Sequence, residues 1–173
     1  MLYFRAVSWF ARHRKVESLA DSMAAHLFES MVQDQTKGED PKSYQIPTAI
    51  LGDFRAKMQL YREALVLLVL SSEARNDTRY DEVLKSYERL ILPGTPTPEG
   101  LEKVDKLNDA MRDLSSLISG SHKRREAYWA KDWMNSIGHE EWNPVILMLF
   151  SSYWMQNYIA IASSLKEISR TVL

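Results

Sequence analysis

The chain has 173 residues, 45% of them apolar, which suits one domain, residues 1–173, built on a sizeable core. With 22 basic and 23 acidic side chains its formal net charge is −1, so no global field draws it to nucleic acid or anionic lipid. Cysteine is absent, which excludes disulfides, zinc-thiolate centres and cysteine nucleophiles and fits an intracellular, cytoplasmic setting.

Residues 1–16 carry Arg5, Arg12, Arg14 and Lys15 without an acid, interleaved with Tyr3, Phe4, Trp9 and Phe10. Such a stretch suits a mitochondrial presequence or a helix lying on a membrane surface. We read it instead as the opening of a bundle helix over residues 2–32, because the apolar spacing continues through Val16, Leu19, Met23, Leu27 and Met31. A polar run with Gly38, Pro41 and Pro47 follows, so residues 34–47 are expected to form a surface loop. Thr48 is the expected cap of a second helix reaching Ala74, whose later half, from Leu65 to Leu70, is apolar on several sides.

Asn76, Asp77 and Thr78 break that pattern, and Tyr80, Val83, Leu84, Tyr87, Leu90 and Ile91 mark a third helix that stops at Pro93-Gly94. A Pro-rich connector, residues 93–98, leads to a fourth helix capped by Thr97, opened by Pro98 and ended by Gly120. A fifth, from Ser121 to Ile137, presents Tyr128, Trp129, Trp133 and Met134, with Gly138 as its left-handed terminator. Asn143 and Pro144 then start the last helix, and nothing from Trp142 to Leu165 is charged. That segment approaches the ~20 residues of a membrane span. Ser151, Ser152, Gln156 and Asn157 interrupt it, however, and Tyr153, Trp154 and Tyr158 stand in its middle rather than at its ends, so we read it as a helix buried in protein. The fold class expected is an all-α, single-domain, mostly antiparallel bundle of about six helices, organised around a buried C-terminal helix.

No catalytic residue emerges. His139-Glu140-Glu141 starts like a zinc-protease helix, but Asn143 stands where the second histidine is needed, and no cofactor is implied. Asp105, Asp109 and Asp113 recur every four residues on the fourth helix, and like charges in line repel unless a divalent cation joins them. Asp77 and Asp81 on the third helix are the matching row, which defines a metal-dependent enzyme of phosphorylated or nucleotide substrates as one reading. Lys103, Lys106 and Arg112 between the acids define the opposite one, a solvated face.

His122, Lys123, Arg124 and Arg125 form the densest basic cluster, beside Tyr128 and Trp129, and are the candidate anion site, although aromatic residues one turn apart favour a core over a nucleic-acid surface. Ser152, Tyr153, Gln156 and Asn157 are a candidate ligand cavity or a polar cluster that fixes helix register. The function best matched to these features is non-enzymatic. Two very apolar helices in so small a bundle leave surface for a protein partner or a homo-oligomer, as in an adaptor, scaffold or assembly subunit. A peripheral membrane protein attached through residues 1–16 is the remaining alternative.

Overall fold

The computed structural model of the chain describes residues 19–30, 44–92, 94, 97–120, 123–140 and 143–172, and within these only the backbone of 123–125 and 168–172. The described residues form six helices and no strand, an all-α bundle. Helix α1 is described over 19–28, with π-type geometry at 29–30. A 3₁₀ turn, Thr48–Ile50, leads into α2 (Leu51–Asn76), followed by α3 (Arg79–Ile91), α4 (Pro98–Ser119), α5 (Lys123–Asn135) and α6 (Pro144–Val172). The expected helix over 2–32 and loop over 34–47 fall largely outside the described residues, as does the basic segment 1–16.

Several ends follow from the residues that make them. The Thr97 hydroxyl accepts from the Gly100 N–H at 3.0 Å, and Pro98 occupies the first turn where its missing donor costs nothing. The Asn143 side chain accepts from Val145 N at 2.8 Å in the same way. Gly138 has φ 79°, the left-handed backbone that an L side chain resists, just after α5. Thr48 corrects an expectation: it lies within the 3₁₀ turn, and no side chain caps either that turn or α2. The Asp77 carboxylate takes the backbone N–H and the guanidinium of Arg79 and so restarts the chain at α3.

Paired residues give the helix directions. Tyr61 meets Asp113 and Glu63 meets Lys103, so α2 and α4 run antiparallel. Arg62 meets Tyr153 and Glu73 meets Lys166, so α6 runs parallel to α2. Helix α6 in turn lies against α5, where the Ser151 hydroxyl donates to Glu126 O at 2.8 Å. The Tyr80 hydroxyl donates to Leu165 O at 3.1 Å and ties α3 to the far part of α6.

The helix at the centre is α2. Every residue from Tyr61 to Leu67, the charged Arg62 and Glu63 included, is buried, because α3, α4 and α6 surround this stretch. Helix α6 is buried along one face only, through Leu147, Phe150, Ser151, Trp154, Ile161 and Leu165. Aromatic rings knit the centre together: Trp133 of α5 lies 4.7 Å from Phe150 of α6, 5.8 Å from Phe54 and 5.6 Å from Tyr61 of α2. Tyr44 closes that cluster edge-on to Phe150 at 5.5 Å. Quadrupole contacts of this kind add about 0.5–1.5 kcal/mol per pair to the burial of the rings.

Candidate interaction surface and polar pocket

The outward face of α6 is the largest departure from ordinary burial. Val145 is 63% exposed, Met148 64%, Leu149 57% and Ile159 59%. On a helix advancing about 100° per residue, these four together with exposed Ser152, Gln156 and Ser163 fall within a single arc about 100° wide. Val145, Ser152 and Ile159 repeat every seven residues, and so do Leu149, Gln156 and Ser163, the spacing at which two helices can stay in register along a seam. No charge interrupts the stripe over its length of roughly 27 Å.

The four residues expected to line a cavity or make one polar cluster are split between two environments. Ser152 and Gln156 lie on the exposed stripe, whereas the Tyr153 hydroxyl accepts from Arg62 Nε at 3.1 Å and Asn157 donates to Tyr153 O at 2.8 Å. The buried hydroxyl of this helix is that of Ser151, which also donates to Leu147 O at 3.0 Å.

The acidic rows are engaged elsewhere. Asp77 pairs with Arg79, Asp109 with Arg112 at 2.9 Å, and Asp113 accepts from the Tyr61 hydroxyl at 2.7 Å, while Asp105 is exposed and Asp81 half-buried. Among the described residues no three His, Asp or Glu side chains gather to hold a metal ion, so Asp77 and Asp81 do not join Asp105, Asp109 and Asp113 in one site. His122 lies outside the described residues. Lys123, Arg124 and Arg125 supply the first turn of α5, with only their backbone described.

Two further polar arrangements join helices that are distant in sequence. In the first, Lys103 of α4 reaches Glu63 of α2 at 2.9 Å and Ile91 O at the end of α3 at 2.8 Å, joining three helices through one ammonium. Gln59 donates to the second oxygen of Glu63 at 3.1 Å. The signal was present: Arg62-Glu63 is a charged pair inside an otherwise apolar run, and charges so placed need partners.

The second is a pocket of about 390 Å³ between α2, α4 and α5. Lys57 enters it from α2 with its Nζ 4.7 Å from the Trp133 ring centre and 5.4 Å from that of Tyr61, and it touches the Ser136 hydroxyl. Burial pushes the Lys57 ammonium below the usual lysine range, and nearby Asp113 opposes that shift. Burial, then the hydrogen bond to Asp113, raises the Tyr61 phenol far above the usual tyrosine range. The ring contacts give the ammonium a cation–π partner that partly replaces water. No local pattern announces this pocket, since Lys57 and Ser136 are 79 residues apart.

Among the described residues, only the segment Pro144–Glu167 is long and apolar enough to cross a membrane by length and composition, and 28% of that window is buried in the bundle. Compared with models of known families, with curated proteins and with solved structures, the chain matches none.

Proposed function

We propose that this chain is a non-enzymatic, self-associating helical module, in which the outward stripe of α6 pairs with the same stripe of a second copy. The observation that carries the reading is the exposure of Val145, Met148, Leu149 and Ile159 in line on a helix whose opposite face is locked into the core. Exposed apolar side chains aligned on one helix face favour association, because covering them releases water at about 25 cal/mol per Å².

Three features favour a second copy over another occupant. The stripe lacks charge, so it needs no complementary ions and meets no like-charge penalty against itself. Its seven-residue spacing suits an identical helix, and the Gln156 amide both donates and accepts, so two of them can bond across a two-fold axis. A lipid surface fits less well, since Ser152, Gln156 and Ser163 would forfeit water without gaining partners.

Sedimentation velocity on the full chain over a wide concentration series tests this. The expected result is a reversible dimer that Ile159→Glu weakens by about a hundredfold, because the new carboxylate must be desolvated in an apolar seam. A monomer throughout, or a dimer indifferent to both Ile159→Glu and Met148→Glu, contradicts the proposal. Flotation of the wild-type chain with neutral lipid vesicles, lost in the same variants, assigns the stripe to lipid instead.

A further inference from the structure

The apolar residues of the α6 stripe favour contact with a second copy, and its polar residues decide the direction of that contact. Seven-residue spacing puts Val145, Ser152 and Ile159 in one column and Leu149, Gln156 and Ser163 in the next, all of them exposed. Along the helix the stripe therefore runs as two apolar residues, two polar, one apolar and one polar. That order is not the same when read backwards, so a parallel and an antiparallel seam would bring different residues together.

Given the pairing of α6 stripes put forward above, on which this rests, we propose that the two helices pair parallel and in register and that Gln156 sets that direction. Parallel pairing about a closed two-fold axis brings each residue to its own counterpart. Val145, Leu149 and Ile159 then make three apolar layers. Ser152, Gln156 and Ser163 make three polar ones, in which every hydroxyl and amide both donates and accepts. Each antiparallel register that overlaps the stripes along most of their length opposes unlike residues. Centred on Ser152, it sets each Gln156 amide against Met148 of the second copy; centred on Gln156, it sets Leu149 against Ser163; centred midway, it sets Val145 against Ser163. An amide or hydroxyl so covered loses water and gains no partner of comparable strength. Lys166, one heptad beyond Ile159, lies 3.8 Å from Glu73 of its own α2, which draws its charge towards the bundle.

Disulfide trapping in the full chain tests this, because Val145 and Ser163 stand at opposite ends of the stripe, about 27 Å apart along the helix. Val145→Cys and Ser163→Cys chains are oxidised separately and as a mixture, at a concentration where sedimentation velocity shows the dimer. Each variant alone is expected to link to itself, and the mixture to yield no more than a trace of the product joining position 145 of one copy to 163 of the other. Gln156→Leu is expected to tighten the dimer about tenfold and, placed in either cysteine chain, to lower self-linking by about half, because the layer that rejects antiparallel registers is gone. All three positions are exposed, so these replacements leave the monomer fold intact. A dimer in which the mixed product dominates, or in which either cysteine fails to link to itself, overturns parallel pairing while self-association stands. Unchanged self-linking in the Gln156→Leu chains overturns the part given to that amide. A monomer at every concentration removes self-association itself, and the parallel seam with it.

Discussion

Glu63 is the clearest case of a single side chain tying helices together. It sits within the most enclosed stretch of α2, and Lys103 reaches it from α4 while also holding the last carbonyl of α3. Removing only the lysine leaves a buried carboxylate without its counter-ion, so Lys103→Met is expected to cost about 2 kcal/mol in urea unfolding. The double variant Glu63→Leu with Lys103→Met is expected to recover most of that loss. The tyrosines give a pH prediction. Burial raises the Tyr61 and Tyr87 phenols, with Asp113 adding to the first and Glu63 to the second. In the unfolded chain both release protons at about 10, whereas the folded chain retains them, so above that pH the unfolded state binds fewer protons and stability falls. Their stabilising contribution is complete below about pH 10 and is lost progressively above it. Ultraviolet phenolate absorbance is expected to show these two tyrosines ionising only with alkaline unfolding, and Tyr61→Phe to reduce the slope of stability against pH in that range.

At the level of the helices, the ends that carry a stated chemical cause are the ones legible in the sequence. Thr97 with Pro98, Asn143 with Pro144, and Gly138 at positive φ each satisfy or spare a backbone group in a way local residues specify. Thr48 has the right residue type but lies in a 3₁₀ turn, where its hydroxyl meets none of the orphan donors of α2. Thermal melts are therefore expected to show Thr97→Ala costing about 1 kcal/mol and Thr48→Ala close to nothing. The choice of central helix was less legible. Both α2 and α6 are rich in apolar residues, and composition cannot reveal how many neighbours will cover each. The covering is decided by the pairings of Tyr61 with Asp113, Arg62 with Tyr153 and Glu73 with Lys166, all between residues distant in sequence. The two faces of α6 differ accordingly: Trp154→Ala, in the aromatic cluster, is expected to cost about 3–5 kcal/mol, while Met148→Glu is expected to leave monomer stability within about 0.5 kcal/mol. Equal effects on unfolding would mean that α6 lacks this division.

For the whole molecule, α3, α4 and α6 enclose the middle of α2 while α6 itself is buried along one face only, and the proposed role depends on that asymmetry. The candidate sites read from the sequence fared unevenly because each relied on spacing along one helix. Spacing placed Asp105, Asp109 and Asp113 in a row correctly, but whether a second row faces them depends on tertiary packing, and Arg79, Arg112 and Tyr61 occupy the acids instead. The outward stripe of α6 was implicit in the surplus of apolar residues, yet its position follows only once Phe150 and Trp154 are fixed inward. Absence of cysteine makes the decisive measurement simple. A single Gln156→Cys replacement in the full chain puts one thiol at the centre of the proposed seam, and Ser115→Cys puts one on the exposed face of α4. Mild oxidation at low protein concentration is expected to convert the Gln156→Cys chain almost entirely to a covalent dimer and to leave the Ser115→Cys chain monomeric. Equal and slow cross-linking of the two would contradict pairing through α6.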